Sequence, residues 1–139
     1  MRAVVDTNVV AYFLLGTESF QAECEAFWRR AEDALAPASW EPEVANVLWM
    51  AVRTHVLGLA EALQKLDLAR ALEIRSIPVA SVWHGALVRA CNSGIAAYDA
   101  LFVELAARER LPLATFDHAV LAAFPEIAKR PGELVGAAG

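Results

Sequence analysis

Short apolar runs alternate along the chain with longer stretches in which apolar residues recur every three or four positions. Arg2–Val5 is a β-branched run that ends at Asp6, a pattern that predicts a buried strand. Helical spacing follows over Thr7–Leu15, where Gly16 ends the pattern, and again over residues 19–34. The chain therefore opens with a strand and two helices.

The same alternation continues to the end of the chain. Further strands are predicted at residues 35–38, 77–80 and 111–115, with an edge strand near Ile127. Helices are predicted at residues 42–55, 59–74, 82–91 and 97–110, with a short one after Asp117. Strands that alternate with helices predict an α/β sandwich around a mainly parallel sheet. No repeat or linker-like stretch interrupts the pattern, so we expect one domain over residues 1–139.

Composition narrows the class of protein. The chain is 58% hydrophobic and 21% charged, which excludes intrinsic disorder. No apolar run approaches the roughly 18–20 residues that cross a bilayer. Asp6 and Asn8 interrupt the apolar start, and no signal-peptide cleavage site follows Leu15. We therefore expect a soluble, cytoplasmic protein that does not associate with a membrane. Cys24 and Cys91 lack metal-ligand spacing and are expected to be buried, reduced thiols.

Acidic residues follow two of the predicted strands. Asp6 comes directly after the first strand, and Asp117 follows the fourth within two residues. Because parallel sheets bind ligands outside the carboxyl ends of their strands, both carboxylates are expected at one edge of the sheet. Glu43 and Asp99 lie near helix starts, beside apolar sequence. Taken singly, each acid is explained by helix capping or by a first-turn position.

Taken together, the four acids indicate a metal site. Crowded carboxylates repel one another and raise each other's pKa unless a cation lies between them. Hard divalent ions such as Mg²⁺ or Mn²⁺ prefer oxygen ligands of this kind. One or two such ions activate a water molecule and neutralise a phosphate in an in-line displacement. The sequence thus favours phosphodiester chemistry.

Four segments resemble, in order, the motifs of the PIN-domain family. The first is Val4-Val5-Asp6-Thr7-Asn8-Val9, and the second is Pro42-Glu43-Val44-Ala45-Asn46-Val47-Leu48. The third runs from Ala97 through Tyr98-Asp99-Ala100 to Ala106, and the fourth is Leu111-Pro112-Leu113-Ala114-Thr115-Phe116-Asp117. Each motif is short and weak by itself, but the ordered set spans nearly the whole chain.

This resemblance implies a three-layer fold with a five-stranded parallel sheet flanked by helices, Mg²⁺ or Mn²⁺ as cofactor, and ribonuclease activity on RNA. For a small single-domain member it implies a VapC-type toxin that is held by a VapB-type antitoxin, commonly as a homodimer. The residues that match the family's catalytic and metal-binding acids are Asp6, Glu43, Asp99 and Asp117. Thr115 occupies the family's Ser/Thr position and is expected to orient a ligand or water, and Asn8 to hydrogen-bond around the site.

Glu41 competes with Glu43 for the second acidic position. Two residues apart on a helix means different faces, so both cannot serve the same site easily. The Val-Ala-Asn-Val-Leu sequence that follows favours Glu43. Glu104, farther along the third motif, is expected on a solvated face.

Three other readings stay open. A net charge of −5 is unusual for a protein that binds nucleic acid, and it motivates a non-catalytic PIN-like module that binds metal or RNA. A solitary RNA-processing nuclease, without an antitoxin, is a second alternative. A phosphatase or phosphoacceptor that uses Asp6 as nucleophile is disfavoured, because Asn8 stands where a second aspartate belongs.

The histidines show no zinc spacing. Trp28 and Trp49 are expected to pack in the core or against a subunit.

Overall fold

A five-stranded sheet forms the centre of the fold. The structure is a computed structural model that describes residues 1–138. All strand pairs are parallel, and the spatial order is β3-β2-β1-β4-β5. The strands are β1 (Arg2–Val5), β2 (Asp33–Pro37), β3 (Arg75–Ile77), β4 (Leu113–Ala114) and β5 (Ala128–Lys129). The chain leaves β1 toward β2 and later returns to its other side as β4, so a topological switch point lies between β1 and β4.

Helices connect the strands. They are α1 (Thr7–Leu15), α2 (Gln21–Arg30), α3 (Trp40–Arg53), α4 (Leu59–Ala71), α5 (Trp83–Ser93), α6 (Ala97–Glu109), α7 (His118–Ala123) and α8 (Pro131–Ala138), with a short 3-10 helix at Val79–Ser81. Helix α6 packs against β1, β2 and β4, and α5 packs on α6. Helix α1 contacts α2, α3 and α4. None of the helices within residues 1–138 is long and apolar enough to cross a membrane.

Both faces of the sheet are covered. Val4 and Val5 are consecutive and fully buried, as are Leu35 and Ala36 in β2 and the pair that forms β4. Consecutive strand residues point to opposite faces, so burial of both requires helices on each side. The predicted α/β sandwich around a parallel sheet is confirmed.

Several boundaries differ from the sequence prediction. The helix predicted over residues 19–34 ends at Arg30, because β2 begins at Asp33 and pairs with β1. The third strand lies at Arg75–Ile77 rather than at residues 77–80, since Pro78 has no N–H for a strand ladder and Val79–Ser81 turns into the 3-10 helix. Helix α8 was not predicted.

Helices α5 and α6 approach each other closely at Gly85. A Cβ atom there would overlap an oxygen of Glu104, whose carboxylate accepts a hydrogen bond from Arg89 Nε at 3.2 Å. The expectation that Glu104 lies on a solvated face is therefore wrong. The carboxylate is turned into the contact between two helices, where a cation offsets its charge.

Two other residues lie on the surface against expectation. Cys24 is buried as predicted, but Cys91 is exposed. Trp49 is 53% exposed, with the Arg53 guanidinium over its ring, so it does not pack in the core of this chain, and its packing against a subunit stays a prediction. An apolar helical pattern indicates a buried face but does not say whether this chain or another one buries it.

Candidate active site

The register between β1 and β4 brings Asp6 against Thr115. Val5 is paired with Ala114, so the next residues of both strands leave the sheet side by side. The Thr115 hydroxyl donates a hydrogen bond to Asp6 Oδ2 at 2.7 Å, and the Thr7 amide donates to Asp6 Oδ1 at 2.8 Å. Asp6 thereby caps α1 and is almost completely buried, at 6% exposure. Both carboxylate oxygens are held in place from within the chain.

The segment that follows β4 is fixed by the same hydroxyl. Thr115 Oγ1 accepts a hydrogen bond from the Asp117 amide at 3.0 Å and a longer one from Asn8 Nδ2 at 3.4 Å. Asn8 Oδ1 in turn accepts from the Phe116 amide at 3.2 Å. Asp117 caps α7, because its Oδ1 accepts from the Val120 amide at 3.0 Å. Thr115 and Asn8 together bind α1 to the loop that carries Asp117.

Helix α3 directs its two acidic residues to different places. The Thr7 hydroxyl donates a short hydrogen bond to Glu43, which draws this side chain toward Asp6. Glu41 accepts from the Ser76 hydroxyl at 2.9 Å, and that hydroxyl also accepts from Trp40 Nε1. Glu41 therefore lies with β3 in a separate pocket, and only Glu43 reaches the carboxyl edge of the central strands.

All four predicted acids line one open pocket of about 740 Å³, which we call the acidic pocket. Asp99 reaches it from the first turn of α6. The lining residues are Asp6, Thr7, Asn8, Ala11, Tyr12, Leu15, Ser39, Pro42, Glu43, Asn46, Val47, Tyr98, Asp99 and Asp117. Within the described part of the chain, no lysine or arginine lines this pocket. The structure thus brings the four acids together without a cationic side chain.

Burial and mutual repulsion shift the protonation of these acids. Burial raises the pKa of Asp6 to about 7, and the charges of Asp99 and Glu43 add to that rise, while hydrogen bonds from Thr115 and Thr7 oppose it. Burial and the Asp99 charge also raise the pKa of Glu43. The pKa of Asp99 is raised by burial and by the Asp117 charge. Each shift favours uptake of a positive charge, either a proton or a metal ion.

The donor set suits a hard divalent ion. Four carboxylates provide oxygen ligands, and the buried Ser39 hydroxyl in the pocket wall has no hydrogen-bond partner among residues 1–138. No three acidic, histidine or cysteine side chains of residues 1–138 already converge on one point. Asp6 and Glu43 are engaged by threonine hydroxyls, so an ion would compete for these oxygens. The residues fit such an ion in chemistry and in charge.

Three residues of the pocket were missed from the sequence. Thr7 was read only as the start of a helix, yet it touches both Asp6 and Glu43. Ser39 was given no role at the site, and Tyr98 was noted only as part of a motif. For Ser39, the position two residues after β2 is a signal that points to the carboxyl edge of the sheet.

Comparison with known proteins agrees with this geometry. The family model described as "PIN domain" matches residues 3–129, which is most of the chain. The chain belongs to the PIN-domain family. All four acids, together with Thr115 and Asn8, lie within the matched PIN region.

Two relatives illustrate the PIN membership. The chain is 32% identical over 132 residues to a protein named Ribonuclease VapC3 from Pyrobaculum aerophilum, a match that covers 91% of this chain and 98% of that protein. The crystal structure of VapBC2 from Rickettsia felis, bound to a DNA fragment from its promoter, contains a similar fold. The TM-score is 0.65 at 14% identity, with 94% of this chain and 98% of the other chain covered. The second likeness concerns the fold alone.

Proposed function

We propose that this PIN-domain chain is an endoribonuclease that hydrolyses RNA phosphodiester bonds with Mg²⁺ or Mn²⁺ and acts as the toxin of a toxin–antitoxin pair. The observation that carries the proposal is that four carboxylates line one pocket, without a lysine or arginine among its described lining residues, at the carboxyl edge of a parallel sheet. A relative named Ribonuclease VapC3 that matches over nearly its whole length supports the choice of RNA.

The four acids differ in how firmly hydrogen bonds fix their carboxylate oxygens, and we assign their roles accordingly. Asp6 is the anchor, because Thr115 and the Thr7 amide fix both of its oxygens. Asp99, Asp117 and Glu43 supply the remaining carboxylate oxygens from three other elements. When bound, the divalent ion supplies activation of water and neutralisation of the phosphate charge.

Thr115 and Asn8 serve as positioning residues. The Thr115 hydroxyl donates to Asp6 and accepts from the Asp117 amide, so it sets the distance between two of the acids. Asn8 holds the Phe116 amide and reinforces the same loop. Neither needs to touch the substrate, because their contribution is to keep the carboxylates in a fixed array.

Protein partners are part of the proposal. A VapB-type antitoxin and a second copy of the chain would each bind through apolar surface, and α3 and α4 expose several large apolar side chains. The exposed side chains there are Trp49, Met50, Leu59, Leu63, Leu66 and Leu68. Exposed apolar side chains in this number on two helices that contact each other suit a protein–protein contact. We expect the pair to act in the cytoplasm.

A cleavage assay tests the nuclease. Purified chain is incubated with a single-stranded RNA in Mg²⁺ or Mn²⁺, with and without excess chelator. We expect cleavage only with the ion, loss of cleavage in Asp6→Asn, and loss in Glu43→Gln. Glu41→Gln is the matched control on the same helix and is expected to cleave as the wild type does. Full activity in Asp6→Asn or in excess chelator would contradict the proposal.

A non-catalytic module is the second candidate, and the net charge of −5 favours it, because long-range attraction to RNA is weak for an acidic protein. Calorimetric titration with Mn²⁺ separates the two. Binding of Mn²⁺ to the wild type but not to Asp6→Asn, together with cleavage, supports the nuclease. Ion binding without cleavage of any tested RNA, or no ion binding at all, supports the module.

A further inference from the structure

A second cavity lies beside the acidic pocket and shares one residue with it. This apolar groove of about 660 Å³ runs between the 3-10 helix, α5 and α6. Its wall includes Val79, Trp83, His84, Leu87, Tyr98 and Leu101. Tyr98 lines both cavities, and it directly precedes Asp99 in the first turn of α6. Tyr98 therefore lies at the border between the two cavities.

The Tyr98 ring is open to solvent. Its side chain is 69% exposed, and Trp83 in the same groove is 55% exposed. Tyr12, the other tyrosine of the acidic pocket, is stacked on Phe20 with ring centroids 4.3 Å apart and an interplanar angle of 11°. One face of Tyr12 is therefore already used inside the protein. Of these two tyrosines, Tyr98 is the one whose ring is available to a ligand.

The charges around the pocket restrict how RNA is held. Neither the acidic pocket nor the apolar groove is lined by lysine or arginine in the described part of the chain. Contacts from such side chains to phosphates, which usually supply most of the affinity for nucleic acid, are missing at this place. Stacking of bases on aromatic rings is the other general source of affinity for single strands.

We propose that Tyr98 positions the RNA strand by stacking on a base next to the cleaved phosphate, and that the apolar groove between α5 and α6 receives this base. The inference rests on the proposed nuclease function and adds a positioning residue to it. A base is joined to the phosphate in the acidic pocket through a single sugar, and Tyr98 is the exposed aromatic side chain that borders that pocket and the groove. The substrate class is accordingly a single strand with an unpaired base at this position.

The test compares Tyr98→Ala with Tyr98→Phe in the full chain. The probe is a short single-stranded RNA with 2-aminopurine beside the cleaved phosphate, and cleavage is measured with Mg²⁺. We expect Tyr98→Ala to raise KM by about 5- to 150-fold, the range that corresponds to the loss of one stacked base. Tyr98→Phe keeps the ring and is expected to keep KM. In the non-cleaving Asp6→Asn background, 2-aminopurine fluorescence is expected to be quenched when Tyr98 is unchanged and in Tyr98→Phe. It is not expected to be quenched in Tyr98→Ala.

Val56→Ala is the control, since Val56 is an exposed apolar residue that lines neither cavity. It is expected to leave KM and quenching unchanged. If the wild type cleaves RNA and Tyr98→Ala has the wild-type KM, the role of Tyr98 is refuted while the nuclease stands. If the wild type neither binds nor cleaves RNA, both proposals fail.

Occupation of the groove by a second copy of the chain is the competing outcome. Leu87 lies in the groove on α5 and is exposed. Light scattering of Leu87→Ala therefore tests this outcome. A molar mass equal to that of the wild type supports a free groove. A drop from dimer to monomer in Leu87→Ala and Tyr98→Ala shows that a second copy fills the groove and overturns the proposal.

Discussion

The two ends of the central strands carry acidic residues in opposite electrostatic settings. At the carboxyl end, Asp6 is buried among other carboxylates, and its pKa is raised to about 7. At the amino end, Asp33 starts β2 and accepts hydrogen bonds from Arg75 Nε and Nη2 and from Arg2 Nε, at 2.9–3.1 Å. Hydrogen bonds from Arg75, reinforced by Arg2, lower the pKa of Asp33.

This electrostatic difference distinguishes an acid that stabilises the fold from acids that we propose bind a ligand. The arginines beside Asp33 tie the starts of three neighbouring strands together, so its charge is satisfied within the chain. In the acidic pocket, Asp6, Glu43 and Asp117 accept hydrogen bonds from hydroxyl or amide groups, and no cationic side chain is among the described lining residues. Unpaired buried charge reduces stability, and its presence at one edge fits the cation that we propose for this pocket.

The largest expected effect is on RNA cleavage, when one acid at the carboxyl end is neutralised and compared with one at the amino end. We expect Asp99→Asn to reduce RNA cleavage at least about 100-fold, because the contribution of a bound metal ion to such reactions is several kcal/mol. Asp33→Asn removes one charge at the opposite end and is expected to cleave at the wild-type rate. Initial rates in Mg²⁺ measure both. Equal losses in the two variants would mean that cleavage follows overall charge or stability rather than the acidic pocket.

A smaller effect is expected in the stability of the metal-free protein as a function of pH. The folded-state pKa of Asp6, about 7, lies above the ordinary aspartate value of 3.8. The stability linked to its proton is therefore complete below about pH 3.8 and is lost as the pH rises through about 7. In excess chelator we expect the free energy of unfolding to fall by about 2–3 kcal/mol between pH 5 and pH 8.

Urea unfolding of the wild type and of Asp6→Asn measures this change. The variant has no proton to lose at this position, so its stability is expected to depend less on pH over the same range. For Asp33 the sign is opposite, because its lowered pKa gives stability that is lost only as the solution becomes strongly acidic. A wild type that gains stability from pH 5 to pH 8 would refute the contrast between the two ends.

The smallest effect is expected at the amino end itself. Arg75→Ala removes the two-point contact to Asp33, but Arg75 is more than half exposed and its pair is screened by solvent. We expect a slight fall in melting temperature that disappears in high salt, with cleavage unchanged. A loss as large as that expected from the Asp6 titration would show that the arginine cluster is a main support of the sheet.

The sequence predicted the placement of the acids in the acidic pocket better than it predicted the residues around them. Asp6 and Asp117 were placed at one edge because each follows an apolar strand, and the parallel topology turns that pattern into proximity. The preference for Glu43 over Glu41 agrees with their positions, since the two residues diverge on α3 as helical periodicity requires. Whether these acids bind metal and catalyse cleavage stays a prediction for the assays above.

Other features depend on contacts that no local pattern encodes. Glu104 looked like a solvated glutamate because its partner Arg89 is 15 residues away and lies on another helix. The end of α2 was overestimated by residues 31–34, whose alanine and acidic side chains suit a helix by local pattern. Pairing with β1 makes Asp33 and Ala34 part of a strand instead.

The sequence by itself determined most of the alternation of strands and helices, the parallel α/β class and the choice of four candidate acids, because hydrophobic periodicity and position at a strand end or helix start are local properties. Only the tertiary structure decided that Thr115 faces Asp6, that Thr7 joins Asp6 to Glu43, and that Tyr98 stands between two cavities. These relations depend on strand register and on the packing of α6 beside α5. Both are set by the whole core and not by any one segment.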